Sequence, residues 1–101
     1  AYLYSPLDPA VLRSLRAVIR AGKAAGIPVG MCGEAAADPR LIPLLLSFGL
    51  DEFSVSPAAV LSTRRAIAGW TAAGADAVAE RAMALATEAE VAALLKGISP
   101  R

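Results

Sequence analysis

The sequence predicts an α/β fold in which helices alternate with two short parallel strands. Three pairs of a capping residue and a proline, Asp8-Pro9, Asp38-Pro39 and Ser56-Pro57, each precede an apolar periodic run and indicate a helix start. Between these helices lie two short strand-like runs without alternation of polar and apolar residues, which is typical of parallel strands covered on both faces. Helices that alternate with such strands predict successive βα units.

The first helix is predicted at residues 9–25, and Gly26 ends it. One face of this helix carries its apolar side chains: Val11, Leu12, Leu15, Val18 and Ile19. The adjoining arc carries its basic side chains: Arg13, Arg16, Arg20 and Lys23. We interpret the basic arc as a solvated flank of the helix.

The remaining elements follow in order: a strand at 27–31, a helix at 39–48, a strand at 52–56, and helices at 57–70, 75–86 and 88–97. Gly49 ends the second helix, and Gly74 precedes the two helices that close the chain. Thr87 and Glu90 have the spacing of a capping box at the start of the last helix. We therefore predict one unit over residues 1–101, with βα units in 1–72 and a helical tail in 73–101.

The composition excludes several classes of function. Ten basic and nine acidic residues leave a net charge of +1 without a long basic run, so we expect no nucleic-acid partner. The longest uncharged apolar stretch, residues 41–50, is too short to span a membrane, and no signal peptide is visible. A single cysteine cannot form an internal disulfide, which suits the cytoplasm.

That cysteine, Cys32, is the strongest candidate for chemistry. It lies where the first strand gives way to small residues, in the segment Gly30-Met31-Cys32-Gly33-Glu34. Functional groups in α/β folds gather at the carboxyl ends of parallel strands, which favours a reactive thiol. A lone cysteine in an apolar chain is, however, most often a small buried side chain. Both interpretations remain open on these residues alone.

Four segments carry a resemblance to a known family. They read YSPLDPAVL at residues 4–12, GMCGE at 30–34, DPR at 38–40 and GLDEFSVS at 49–56. Together they closely resemble the C-terminal part of the Enzyme I family, the phosphoenolpyruvate-protein phosphotransferases of the bacterial sugar phosphotransferase system. The related pyruvate phosphate dikinases and phosphoenolpyruvate synthases share the Cys-Gly-Glu segment, but the fourth segment is more similar to Enzyme I.

The resemblance implies a phosphoenolpyruvate-binding TIM (β/α)₈ barrel, of which this chain would be the last two βα units and the C-terminal helices. It also implies transfer of a phosphoryl group from phosphoenolpyruvate to a histidine on another domain, and then to the carrier protein HPr. The chain contains no histidine, so it cannot hold that group itself. We therefore expect the chain alone to be inactive.

The family implies that Cys32 protonates the methylene carbon of the pyruvate enolate. A thiol suits this step, because it is mostly protonated at neutral pH yet acidic enough to give up its proton. Gly30, Met31 and Gly33 would shape the substrate site, and Glu34 would accept a hydrogen bond or anchor the loop rather than bind metal. The Mg²⁺ ion of the parent protein would have its ligands upstream, which leaves no metal or cofactor on this chain.

Two alternatives remain open. The chain could belong to a dikinase or synthase of the same superfamily, which would require ATP. It could instead be a non-catalytic helical module in which Cys32 only fills space. Two strands alone leave sheet edges exposed, so we expect a homodimer or higher self-association.

Overall fold

A computed structural model describes residues 5–100. The elements are, in order, α1 (Pro9–Ala24), β1 (Gly30–Cys32), α2 (Glu34–Ala37), α3 (Ile42–Phe48), β2 (Glu52–Ser54), a 3₁₀ turn (Pro57–Ala59), α4 (Val60–Ala68), α5 (Ala72–Met83) and α6 (Glu88–Lys96). The described part of the chain is thus mostly helical, with one two-stranded sheet.

Helix α1 agrees with its prediction to within one residue. The Asp8 carboxylate accepts a hydrogen bond of 2.8 Å from the Ala10 N–H, as a helix cap should. Leu12 and Ile19 are buried as the apolar stripe predicts, but Val18 is 64% exposed. The stripe was therefore predicted too wide, because Val18 lies at its edge where no described element covers it.

The two strands pair in parallel, which confirms that prediction. Both are shorter than the sequence indicated: β1 covers 30–32 instead of 27–31, and β2 covers 52–54 instead of 52–56. The prediction that both faces of the sheet are covered is wrong for the described residues. Met31 and Phe53 pack against the core, whereas their neighbours in each strand are exposed. Helices pack on only one face of the sheet.

The predicted helix at 39–48 starts later than expected. A short helix, α2, follows β1 directly, and Asp38 then forms a turn instead of a helix cap. The Asp38 Oδ1 accepts a hydrogen bond of 2.9 Å from the Arg40 N–H, and the Asp38 carbonyl accepts one of 3.0 Å from the Leu41 N–H. Helix α3 begins only after this turn, and Gly49, with φ of +100°, ends it as predicted.

The helices after β2 also differ from prediction at their starts. The segment predicted as a helix from Pro57 opens with the 3₁₀ turn, and the Ser56 side chain makes no capping hydrogen bond there. Helix α5 starts at Ala72, so Gly74 lies inside it and not before it. The Gly74 N–H donates a hydrogen bond of 3.0 Å to the Thr71 hydroxyl, which caps the helix. The capping box at the start of α6 is confirmed.

The core is centred on α3. This helix and the residue before it supply the fully buried side chains Leu41, Ile42, Leu44 and Leu45. Helix α5 packs along α3 through its small residues, including Ala79 and Ala82, which let the two backbones approach closely. The sheet packs at one side of this core and leaves its other face exposed.

Candidate functional site

Four residues form the exposed face of the sheet. Parallel pairing places Gly30 beside Glu52 and Cys32 beside Ser54. Alternate residues of a strand share a face, so these four lie together while Met31 and Phe53 lie on the opposite side. All four are exposed. We call them the open sheet face.

Cys32 lies at the carboxyl end of β1, with its thiol free and exposed. It therefore does not fill a hole in the apolar core of the described structure. An exposed thiol at the end of a parallel strand can meet a small molecule from solvent. This placement is the one the sequence predicted for a reactive cysteine.

Gly33 turns the chain from β1 into α2. Its backbone has φ of +95° and ψ of −170°, a conformation that is essentially restricted to glycine. No atom lies within 4 Å of the position that an alanine Cβ would occupy. Glycine is therefore required here by the backbone conformation and not by lack of space. The direction in which Cys32 leads into the loop depends on that conformation.

Gly30 has a different reason to be small. An alanine Cβ at this position would come within 3.3 Å of the Glu52 Cβ and 3.4 Å of its Oε2. Gly30 therefore leaves room for the Glu52 side chain on the open sheet face. Met31 is half-buried on the other side, so only its backbone borders this face.

The loop after Cys32 carries the predicted anchor Glu34 and the pair Asp38–Arg40. Glu34 is exposed at the start of α2, and its carboxylate has no hydrogen-bond partner among residues 5–100. The Asp38 carboxylate accepts two hydrogen bonds from the Arg40 guanidinium, of 3.1 Å from Nε and 2.8 Å from Nη2. Burial raises the pKa of Asp38, but the hydrogen bonds and charge of Arg40 outweigh it, so the pKa lies below its usual value. Asp38 and Arg40 thus fix the end of this loop.

A second anchor, which sequence analysis missed, lies at the opposite end of the sheet. The Asp51 carboxylate accepts two hydrogen bonds of 2.8 Å, one from Lys23 Nζ and one from the Val29 N–H. The Lys23 hydrogen bond, assisted by that from Val29, holds the pKa of Asp51 below its usual value. Asp51 thus connects the end of α1, the segment before β1 and the start of β2. The two charges are 28 residues apart, so no local pattern could have paired them.

Apart from the open sheet face, the described residues show a large apolar cavity and neither a metal cluster nor a membrane span. Among residues 5–100, no group of three or more His, Cys, Asp or Glu side chains could hold a metal ion. A cavity of about 490 Å³ is lined by Trp70, Arg40 and mainly apolar side chains of three helices, and by none of the open sheet face. None of the helices in this range is long and apolar enough to cross a membrane.

Comparison with known proteins decides the family. The sequence model of the family described as PEP-utilising enzyme, PEP-binding domain, matches residues 1–72. The chain belongs to this family. The resemblance carried by the four segments is therefore confirmed at the level of the family.

The similar curated proteins of this family are phosphoenolpyruvate-protein phosphotransferases. That of Staphylococcus carnosus is 46% identical over 96 residues, which is 95% of this chain and 17% of the relative. That of Staphylococcus aureus is 45% identical over 95 residues, or 94% and 17%. That of Bacillus subtilis is 43% identical over 96 residues, or 95% and 17%. These relatives are enzymes, and the chain spans about one sixth of their length.

Proposed function

We propose that this chain is the C-terminal part of the phosphoenolpyruvate-binding TIM barrel of a phosphoenolpyruvate-protein phosphotransferase. The family match and the identity to three such enzymes support the enzyme class. The parallel β1–β2 pair, covered on one face by helices, supports the barrel. In a barrel, further strands would flank this pair, and the open sheet face would line the interior.

Within that barrel, Cys32 is the proposed proton donor. Phosphoryl transfer from phosphoenolpyruvate leaves the enolate of pyruvate. The S–H bond of Cys32 then breaks, a C–H bond forms at the methylene carbon with the electron pair of the enolate, and the negative charge passes to sulfur. Water returns a proton to the thiolate. The observation that carries this proposal is the free, exposed thiol at the carboxyl end of β1.

The other parts of the reaction belong elsewhere in the parent protein. The chain has no histidine, so we assign the phosphohistidine to another domain of the parent protein, together with the contact with HPr that the family resemblance implies. The family resemblance implies a magnesium ion, but the described residues do not fit it, because no suitable cluster of ligands occurs among residues 5–100. We therefore derive no step through the metal and assign its ligands to other strands of the barrel.

The experiment uses the intact parent protein with phosphoenolpyruvate and HPr, without ATP, and compares the wild type with Cys32→Ala. Two signals are followed: phosphorylation of HPr, and deuterium incorporation into the methyl group of pyruvate in D₂O by proton NMR. Ser14→Ala is the control, because this exposed hydroxyl bonds only the Ala10 carbonyl within α1. We expect Cys32→Ala to lose turnover and deuterium incorporation about 100-fold or more, as removal of a general acid does.

The outcomes separate the alternatives. Equal turnover and equal deuterium incorporation in wild type and Cys32→Ala would show that the thiol is not the proton donor. Activity of the wild type only with ATP would instead assign the parent to the dikinases or synthases. Loss of both signals in Cys32→Ala but not in Ser14→Ala supports the proposal.

A further inference from the structure

Ser54 is the direct cross-strand neighbour of Cys32. The two residues pair in the parallel register, and both side chains lie on the open sheet face. Neighbouring strands are about 4.8 Å apart, so paired side chains on one face stand side by side. Rotation about χ1 alone can bring a serine hydroxyl toward a neighbouring thiol.

The Ser54 hydroxyl is also free to act. Within residues 5–100 it has no hydrogen-bond partner, whereas the hydroxyls of Ser14, Ser47 and Ser62 all donate to a carbonyl or carboxylate. The thiol of Cys32 likewise has no hydrogen-bond partner in this part of the chain. A serine hydroxyl carries one O–H that it can direct to a new acceptor. The strongest acceptor that the proposed reaction creates beside it is the thiolate.

Building on the proposed function, we propose that Ser54 is a positioning residue for the proton transfer and that its hydroxyl donates a hydrogen bond to Cys32 Sγ as the thiolate forms. The Ser54 O–H bond stays intact throughout. The S–H bond of Cys32 breaks, the enolate electron pair forms the new C–H bond, and the charge left on sulfur is stabilised by the hydroxyl. Water then reprotonates the sulfur while Ser54 keeps its own proton.

The other polar residue on this face cannot take the same role. Glu52 pairs with Gly30, which lies two residues before Cys32 in β1 and on the same face of the sheet. The Glu52 Oε2 atom lies near Gly30. An ionised carboxylate accepts hydrogen bonds but donates none, and its charge opposes a thiolate. Ser54 is the neutral donor directly beside the sulfur.

The test measures the reactivity of Cys32 in the full-length protein. Alkylation by iodoacetamide is followed as a function of pH by mass spectrometry of the peptide that contains Cys32, because only the thiolate reacts. Ser54→Thr and Ser54→Val are the matched pair: both are β-branched and suited to a strand, and they differ by the hydroxyl. Ser54→Ala is the simplest deletion, and Ser14→Ala is the remote control.

We expect the pH midpoint of alkylation to rise by about half to one unit in Ser54→Val and Ser54→Ala, the worth of one typical hydrogen bond. Deuterium incorporation into pyruvate should slow about three- to tenfold with KM unchanged. Ser54→Thr should stay within about twofold of the wild type, since it keeps the donor.

Identical midpoints and rates in Ser54→Thr and Ser54→Val would overturn the inference, even if Ser54→Ala failed to fold. This failure differs from that of the proposed function. If Cys32→Ala loses activity while the Ser54 variants are all unchanged, the proton donor stands and only the role of Ser54 falls. If Cys32→Ala keeps full activity, the proposed function itself fails.

Discussion

Replacing Gly33 with alanine isolates the backbone conformation that follows the reactive thiol. Gly33 has φ of +95° and ψ of −170°. The added methyl group meets no atom within 4 Å, so its cost comes from the backbone and not from a clash. Holding a residue other than glycine in such a conformation costs about 1–3 kcal/mol. Small domains have only about 5–15 kcal/mol of stability, so this is a large share.

The matched control is Gly97→Ala, at the end of α6. Gly97 has φ of −93°, and the closest atom to an added Cβ is 3.9 Å away. Alanine fits there without strain, and we expect a change of less than about 0.5 kcal/mol. Both substitutions add the same methyl group, so the difference between them reports the strain at Gly33.

The assay is urea unfolding of the purified chain, followed by circular dichroism. With a slope of about 1–3 kcal/mol per molar urea, a cost of about 2 kcal/mol lowers the midpoint by about 1 M. Gly97→Ala should keep the midpoint of the wild type. Equal midpoints for the two variants would refute the reasoning, because they would show that the loop after Cys32 does not require the conformation of Gly33.

Two further predictions concern the core and the sheet anchor. Leu45 has 0% exposure, so Leu45→Ala should lower the free energy of unfolding in urea titrations by about 2–5 kcal/mol. Leu61 is 60% exposed, so Leu61→Ala should change that free energy by less than about 0.5 kcal/mol. Similar losses in the two variants would contradict the packing described. Because folding lowers the pKa of Asp51, its ionised carboxylate stabilises the fold at pH values above the usual carboxyl pKa, which is near 4. This stabilisation is lost as the pH falls through the pKa of the folded state. Asp51→Asn should therefore lose less stability than the wild type as the pH falls below about 5 in thermal melts at several pH values, and parallel losses would refute the lowered pKa of Asp51.

Local signals predicted a large part of the fold. The start of α1 at Asp8-Pro9, the end of α3 at Gly49 and the capping box of Thr87 and Glu90 each depend on residues within one helical turn, and all are confirmed. The parallel pairing of the strands also followed from the order of the elements.

Other features depend on contacts that no local pattern contains. Asp38-Pro39 resembles a helix start, but the Asp38 carbonyl accepts its hydrogen bond from Leu41, three residues on, whereas the Asp8 carbonyl accepts from Leu12, four residues on. A turn therefore forms at Asp38 in place of a helix start. The apolar composition of the strands indicated two covered faces, yet coverage depends on which elements lie nearby, and the described helices reach one face only. The contact between Asp51 and Lys23 joins distant segments and was not predictable for the same reason.

The candidate site was predictable in identity but not in geometry. The motif around Cys32 singled out the thiol, and the structure places it exposed at the end of β1. The partnership with Ser54 required the register of the two strands, because neither residue indicates the other in the sequence.

The separation of Asp51 from Cys32 along the sheet has a consequence for how such a chain can change over time. The carboxylate that ties β1, β2 and α1 together acts at the strand entrances, while the thiol and the Ser54 hydroxyl act at the exits. The side chains of Cys32 and Ser54 can therefore be exchanged without breaking the contacts of Asp51 that hold the strands together. A new reaction could be acquired at one end of these strands while selection for folding continues at the other.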